Sequence, residues 1–375
     1  MFNKLYGDGI HDDTLALQEL IDNSKGGLSL AMPEVSYLIS KPLELPGNFK
    51  LTLPRFAEIK LMPKSDCLML TNKQSDEPLK NIEVEGGIWN YNNLEQSPNP
   101  WLGLEEKSEN PDYSGFAVYF YNVVGLRISS LTMKDVITFA ITLDKVSYFT
   151  VDNIVFDFNY GNPLATNMDG IHLDGNCHFG HITNLKGACY DDLVALNADE
   201  GSQGPITNIT VDEIYSEDCH SAVRLLSANY PVKNVHITNV YGTYFQYCIG
   251  VTRFYETKDR GYFDGITLDN IYASKAVRLP VYNKQVHDYV YPLIHIEDGL
   301  NIKALKISNL HRVEYNVPVD TIRVAPNTTI EQLVLDNITT ENHTDSEMPF
   351  FTKCGEVKNL HANALYADNK AVEIK

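Results

Sequence analysis

Cysteine is scarce in this 375-residue chain: six residues, with no Cys-x-x-Cys pair, which excludes a disulfide scaffold and speaks against a zinc site. Nowhere do 18 apolar residues run together, so no transmembrane helix is expected. Positive charge is also short. Thirty Lys and Arg face 49 Asp and Glu, a formal charge of −19. That balance argues against nucleic acid or an anionic membrane as partner, since both need clustered cations. It leaves room for an acidic sugar met by a few well-placed Arg. The opening Met1-Phe2-Asn3-Lys4 runs directly into polar sequence, without the cationic and apolar segments of a secretory leader. The expectation is a cytoplasmic monomer or small homo-oligomer, secreted only if a leader has been removed. The Asn-x-Thr sequons at Asn208, Asn327, Asn337 and Asn342 are then read as chance.

Helical patterning is almost absent after residue 25, and what replaces it is periodic. Short segments alternate apolar and polar residues and carry Asn or Ser near their end: Phe149-Thr-Val-Asp-Asn-Ile154, His181-Ile-Thr-Asn-Leu185, Val235-His-Ile-Thr-Asn-Val240, Ile266-Thr-Leu-Asp-Asn-Ile271, Leu305-Lys-Ile-Ser-Asn-Leu310 and Val334-Leu-Asp-Asn-Ile338. Between the Asn positions the steps are 31, 55, 31, 39 and 28, and Glu213 divides the 55 into 29 and 26. Alternation in pieces of four to six residues means half-buried strands. A repeat of this length without crossover helices means stacked coils sharing one core. The reading is all-β: a single-stranded, right-handed parallel β-helix over residues 1–375, its hand taken from the chirality of parallel crossovers. A β-propeller would need longer blades and antiparallel hairpins with tight-turn signals. Asn suits the corners because it tolerates the left-handed backbone, and stacked Asn can form an amide ladder. Cys189, Cys219 and Cys248 step by 30 and 29, as the strands do, which suggests a column of reduced thiols.

The N-terminus differs in kind. Asp12-Asp13-Thr14 precedes Leu15, Leu17, Leu20 and Ile21 at helical spacing, and Gly26-Gly27 follows. That predicts a helix over about 12–23 covering the open end of the first coil. Residues 91–115 are polar, hold three Pro and lack alternation, the marks of an excursion loop forming one wall of a cleft.

Two stretches carry a resemblance. Tyr6-Gly-Asp-Gly-Ile-His-Asp-Asp-Thr-Leu-Ala-Leu17 resembles the opening of the pectate-lyase-like β-helix superfamily, and Pro42-Leu-Glu-Leu-Pro46 is of that style. Asn167-Met-Asp-Gly-Ile-His-Leu173, followed one coil later by Tyr190-Asp-Asp-Leu-Val-Ala-Leu-Asn197, looks like glycoside hydrolase family 28, the polygalacturonases. The resemblance implies Asp191 as general acid, with Asp169 and Asp192 holding and activating water and Asn167 beside the substrate. Physical reasoning points the same way. The two motifs align in adjacent coils, so Asp169 is expected about 4.8 Å from Asp192, and carboxyls that close raise at least one pKa.

Two further family elements are altered. His220 of Asp218-Cys-His-Ser-Ala-Val223 stands where the family has Gly-His-Gly, but the glycines are gone and the register is one residue off; it either shapes the site or fills a corner. Counting on the cysteines stacks Val194, Arg224 and Arg253. That puts Arg253 of Thr252-Arg-Phe-Tyr255 on the family's Arg and Tyr255 on its Lys. Arg253 and Arg224 then either grip a substrate carboxylate or neutralise neighbouring Asp. The sequence calls for no cofactor or metal in a hydrolase. A lyase or epimerase on a uronate would usually need Ca²⁺ or a cation for its carbanion, and a non-catalytic carbohydrate-binding solenoid would not need the three Asp. The expectation is an inverting glycosidase acting on an acidic, galacturonate-type oligosaccharide.

Overall fold

The computed structural model describes residues 3–32, 35–105, 107–159, 166–255, 259–277 and 291–374. The chain winds into a right-handed parallel β-helix. One wall is an 11-stranded sheet that takes a single short strand from each coil, from Leu43–Leu45 to Phe351–Lys353. The other walls form an 18-stranded sheet, in which later strands such as Ser147–Asp157 and Gly261–Lys275 run 11 and 15 residues. Among the described residues every pairing is parallel except Glu356–Ala367 with the short Lys370–Ala371.

These long strands bend at left-handed residues, and one such position recurs from coil to coil. Asn153, Asn184, Glu213, Asn239, Asn270, Asn309 and Asn337 all have φ between 52° and 57°, and they are the residues whose spacing marks the repeat. An Asn there adopts the left-handed backbone at low cost and offers its amide to the coil below. Asn184 Nδ2 donates to Asn153 Oδ1 at 3.4 Å, Asn337 to Asn309 at 2.7 Å, and Asn270 to Asn239. The ladder is mixed, since Asn239 and Asn309 donate instead to Asp212 and Asp269. Inside the tube, Val, Ile, Leu and Phe from successive coils form one continuous buried core from Leu17 to Leu365.

The helix at the open end runs Thr14–Asn23 and buries Ala16, Leu17 and Ile21. Leu15, expected on the apolar face, is 68% exposed. Asp13 sits at the N-cap, yet its carboxylate accepts from the backbone N–H of Tyr6 and Gly7 and not from the helix. That ties the preceding segment over the first turn. Helix formation stops at Ser24, two residues before Gly26, which takes φ 78° in the following turn.

Two register expectations need correction. Cys189 and Cys219 do meet, Sγ to Sγ 3.6 Å, as free buried thiols. Cys248 is displaced: Val223 pairs with Ile249, an offset of 26 and not 29, so Cys248 lies opposite Ala222. The coil itself is shorter: Ile206 already pairs with Val232, an offset of 26, where the coil before it is offset by 29. Strand register, and not the cysteine count, therefore places Arg224, which is not stacked between Val194 and Arg253. Arg224 pairs with Ala195 on one side and Gly250 on the other.

Candidate active site

The 11-stranded wall positions the carboxylates. Ile171 pairs with Val194, which sets Asp169 against Asp192, and Gly170 N donates to Asp192 O at 3.0 Å. Asp192 in turn pairs with Ser221 one coil on. Strand pairing alone therefore gathers Asp169, Asp191 and Asp192, with carboxylate oxygens within 4.8 Å of one another. The same register puts His220 directly beside Asp191, Nδ1 lying 3.6 Å from Oδ1. The one-residue offset of its motif does not displace it.

The three carboxylates differ in access. Asp169 and Asp192 are 1% and 0% exposed, whereas the Asp191 side chain is 22% exposed. Asp169 accepts from Asp192 N through Oδ1 at 3.0 Å and holds His172 Nδ1 through Oδ2 at 2.7 Å. Asp192 accepts from Ser221 Oγ through Oδ1, and its Oδ2 lies 2.7 Å from Arg224 Nε. Burial pushes the carboxyls of Asp169 and Asp192 up. His172 pulls Asp169 back down, as Arg224 does Asp192, while the charge of Asp191 adds to the rise at Asp192.

A second cluster, unassigned by sequence reasoning, backs the first. His172 is fully buried, with Nε2 2.9 Å from Glu200 Oε2 and 3.4 Å from Asp174 Oδ1. Burial would lower the imidazole pKa, but hydrogen bonds to Asp169, Asp174 and Glu200 raise it well above its ordinary value. Burial likewise works against the Glu200 carboxylate, yet the hydrogen bond and charge of His172 hold its pKa at about 2. Tyr255 OH donates to Glu200 Oε1 at 2.5 Å, so a chain runs Tyr255–Glu200–His172–Asp169. Glu200 reaches His172 from a tight turn in which Gly201 has φ 54°, where a Cβ would lie 2.5 Å from the Asp174 carboxyl carbon. His172, Asp174 and Glu200, like the Asp trio, gather enough ligand atoms to hold a cation. In the structure both ring nitrogens of His172 face carboxylates, so as an imidazolium it pairs with three acidic groups at once.

The Glu200–His172 pair makes stability pH-dependent. A depressed Glu pKa contributes stability that is present above the unfolded value of about 4.5 and lost as pH falls towards about 2. The raised His172 pKa contributes below about 6.5, and that share is lost only as pH climbs through the folded value. Glu200→Gln should remove about 2–3 kcal/mol at pH 6 and roughly half as much or less at pH 3, read from urea midpoints. An equal loss at both pH values would contradict the pairing.

The remaining candidates are placed as follows. Asn167 is half-buried with φ 52°, two residues before Asp169. Phe254 lies over Arg224, 5.7 Å from guanidinium carbon to ring centroid. Arg253 turns elsewhere: its Nη1 donates to Asp259 O at 3.2 Å and its guanidinium lies over Gly299. The structure therefore joins Asp169, Asp191, Asp192, His220, Arg224 and Tyr255, and leaves Arg253 at the margin. The excursion reaches this wall as well. Asn99 Nδ2 donates to Thr166 O and Asn93 Nδ2 to Asn159 Oδ1, at 3.2 and 2.9 Å. Its Trp101, half exposed, packs on Phe139, which stacks on His172 at 3.9 Å.

No protein-family model matches the sequence. Solved structures do. A family 28 exopolygalacturonase of Yersinia enterocolitica aligns with TM-score 0.59 and 15% identity over 95% of this chain and 76% of its own. The surface adhesin PfbA of Streptococcus pneumoniae gives 0.55 and 15%, over 96% and 91%. The tailspike of Escherichia coli bacteriophage HK620, solved with a pentasaccharide, gives 0.62 and 12%, over 96% of this chain and 63% of its own. What this chain shares with all three is the fold, a parallel β-helix found in glycoside hydrolase family 28 and also in a tailspike and an adhesin.

Proposed function

We propose that the protein is a glycoside hydrolase acting on an acidic, galacturonate-type oligosaccharide, with inversion at the anomeric carbon. The observation that carries this is the difference in access among three aligned carboxylates: Asp191 reaches the surface and its two neighbours do not. Asp191 donates its proton to the leaving glycosidic oxygen as the carbon–oxygen bond breaks. Asp169 and Asp192 are closed to a sugar ring, so neither attacks the anomeric carbon. A water held at their edge does, giving its hydroxyl to the carbon and its proton to the carboxylates. His220 stands beside Asp191 to orient it, and His172 and Arg224 keep the two inner carboxylates in place.

Asn167, Arg224, Tyr255 and Trp101 line the approach. Arg224 is the cation nearest the reaction and supplies the preference for a uronate. The marginal position of Arg253 leaves it a lesser part in that grip. Trp101 offers a half-exposed indole as a platform for a sugar face. Trp101→Ala should raise KM by about 3–10-fold with kcat little changed, in line with a lost aromatic contact of about 0.5–1.5 kcal/mol. An unchanged KM would remove the excursion from the cleft.

The test of the function is incubation with oligogalacturonides and with their methyl-esterified forms. Hydrolysis releases new reducing ends without near-ultraviolet absorbance. An absorbing, unsaturated product would mark a lyase, and binding without cleavage would mark a non-catalytic solenoid.

A further inference from the structure

Beyond Arg224 the outward-facing row of the same wall continues through Gly250, His295 and Arg323, paired coil to coil. We propose that His295 and Arg323 form a second anion-binding subsite, which takes the carboxylate of a sugar several residues from the cleavage point. The substrate then lies along the solenoid axis. This inference rests on the proposed reading of the site and names where its substrate extends.

Two polar atoms carry the argument. His295 Nδ1 and Arg323 Nε are both buried, and among the described residues neither has a hydrogen-bond partner. A buried donor without an acceptor is costly, of order 1–3 kcal/mol and more for a charged group, so such atoms are seldom left unpaired without a reason. The side chains are held ready. Gly250 has no side chain, and the ring of Tyr247 occupies the space where its Cβ would be, 2.6 Å from that position. Tyr247 stacks on His295 at 5.8 Å and 15°, while Tyr291 meets the same ring edge-on at 4.8 Å. An imidazole clamped by two rings keeps its orientation.

Two cations among the described residues, Arg323 and Lys275, act on the His295 ring. Lys275 comes close enough to act on His295, and its ammonium is held by the carbonyls of Gln246 and Tyr291. Burial first, then the charges of Arg323 and Lys275, lower the His295 pKa to about 4, so at neutral pH it serves as a neutral hydrogen-bond donor beside a charged guanidinium. The carboxylates of the neighbourhood have other partners. Glu297 accepts from the backbone N–H of Arg253 and Phe254, and Asp320 accepts from Thr352. His295 and Arg323 are paired on adjacent strands and each is part exposed, so an incoming carboxylate would meet a guanidinium and an imidazole side by side. From the coil of Asp191 to that of Arg323 is four strand spacings, roughly 19 Å.

The experiment measures binding, so that it stands apart from catalysis. Hexagalacturonate, its fully methyl-esterified form and digalacturonate are titrated calorimetrically into Asp191→Asn protein, which does not turn them over, with Arg323 wild type or changed to Gln or Lys. For hexagalacturonate the Gln variant should raise Kd about 10-fold, the size of one charge-assisted bond, and the Lys variant should lose less. The ester, which lacks the charge, and the dimer, too short to reach, should bind all three proteins alike. Equal losses on hexamer, ester and dimer, a hexamer Kd unchanged in the Gln variant, or an Asp191→Asn parent that fails to bind the hexamer would each overturn the subsite. If that Kd is unchanged and, with Asp191 intact, wild type and Arg323→Gln cleave the hexamer equally well, the subsite falls while the hydrolase reading survives. Binding that depends on Arg323 without any cleavage by wild type reverses that outcome.

Discussion

Asp191→Asn should reduce turnover by about 10²–10⁴-fold or more and leave the melting temperature within a degree or two of wild type. The first half follows from the proton. Asn has the shape of Asp but nothing to donate to the leaving oxygen, and Asp169 and Asp192 are too deeply buried to replace it. The second half follows from exposure. Asp191 is the outermost of the three, and the contacts that hold the inner two, His172 on Asp169 and Arg224 on Asp192, do not run through it. The matching change at Asp192 should behave differently, because it strands the Arg224 guanidinium and loses stability together with activity. Activity retained in Asp191→Asn would move the acid role elsewhere.

The largest stability effect is expected at His172. Its imidazolium stands among Asp169, Asp174 and Glu200, within 2.7, 3.4 and 2.9 Å. Removing one member of a buried ionic network costs about 3–5 kcal/mol, because the charges left behind stay out of water and uncompensated. His172→Ala should therefore lower the urea midpoint strongly at pH 7. The loss should shrink as pH falls and the orphaned carboxyls take up protons. A change below about 1 kcal/mol would mean that the cluster is less charged than its geometry implies. Inactivity in this variant has a physical cause too, since Asp169 loses the partner that fixes its Oδ2.

The repeat was legible because one conformational need recurs. A left-handed corner favours Asn, and the corner spacing is visible as the spacing of Asn153, Asn184, Asn239, Asn270, Asn309 and Asn337. The Asp trio was legible for a related reason: Asp169 and Asp192 are neighbours by strand pairing, with no insertion between the two motifs in their coils. The arginines were misaligned because a counted step is not a register. Cys219 and Cys248 are 29 residues apart, but the coil between the paired strands is only 26 residues long, so Gly250 and not Arg253 follows Arg224. His172 stood inside a motif already singled out, at an outward position in its strand. Its importance depends on Glu200, which comes from a turn that reads locally as an ordinary Asp-Glu-Gly bend. Nothing in the sequence joins Tyr255 to Glu200, or Trp101 to Phe139, because each pair is brought together by chain excursions with no periodic signature.

The central claim is that Asp191 and its buried neighbours cleave a glycosidic bond with water, and one measurement addresses it directly. Oligogalacturonide is digested in isotope-labelled water, the new reducing end is weighed by mass spectrometry, and its first-formed anomer is read by proton NMR. The account predicts one labelled oxygen per cleavage, an anomer opposite to that of the bond broken, and neither signal from Asp191→Asn. An unlabelled, unsaturated product, or a labelled one with its anomeric configuration retained, would contradict it.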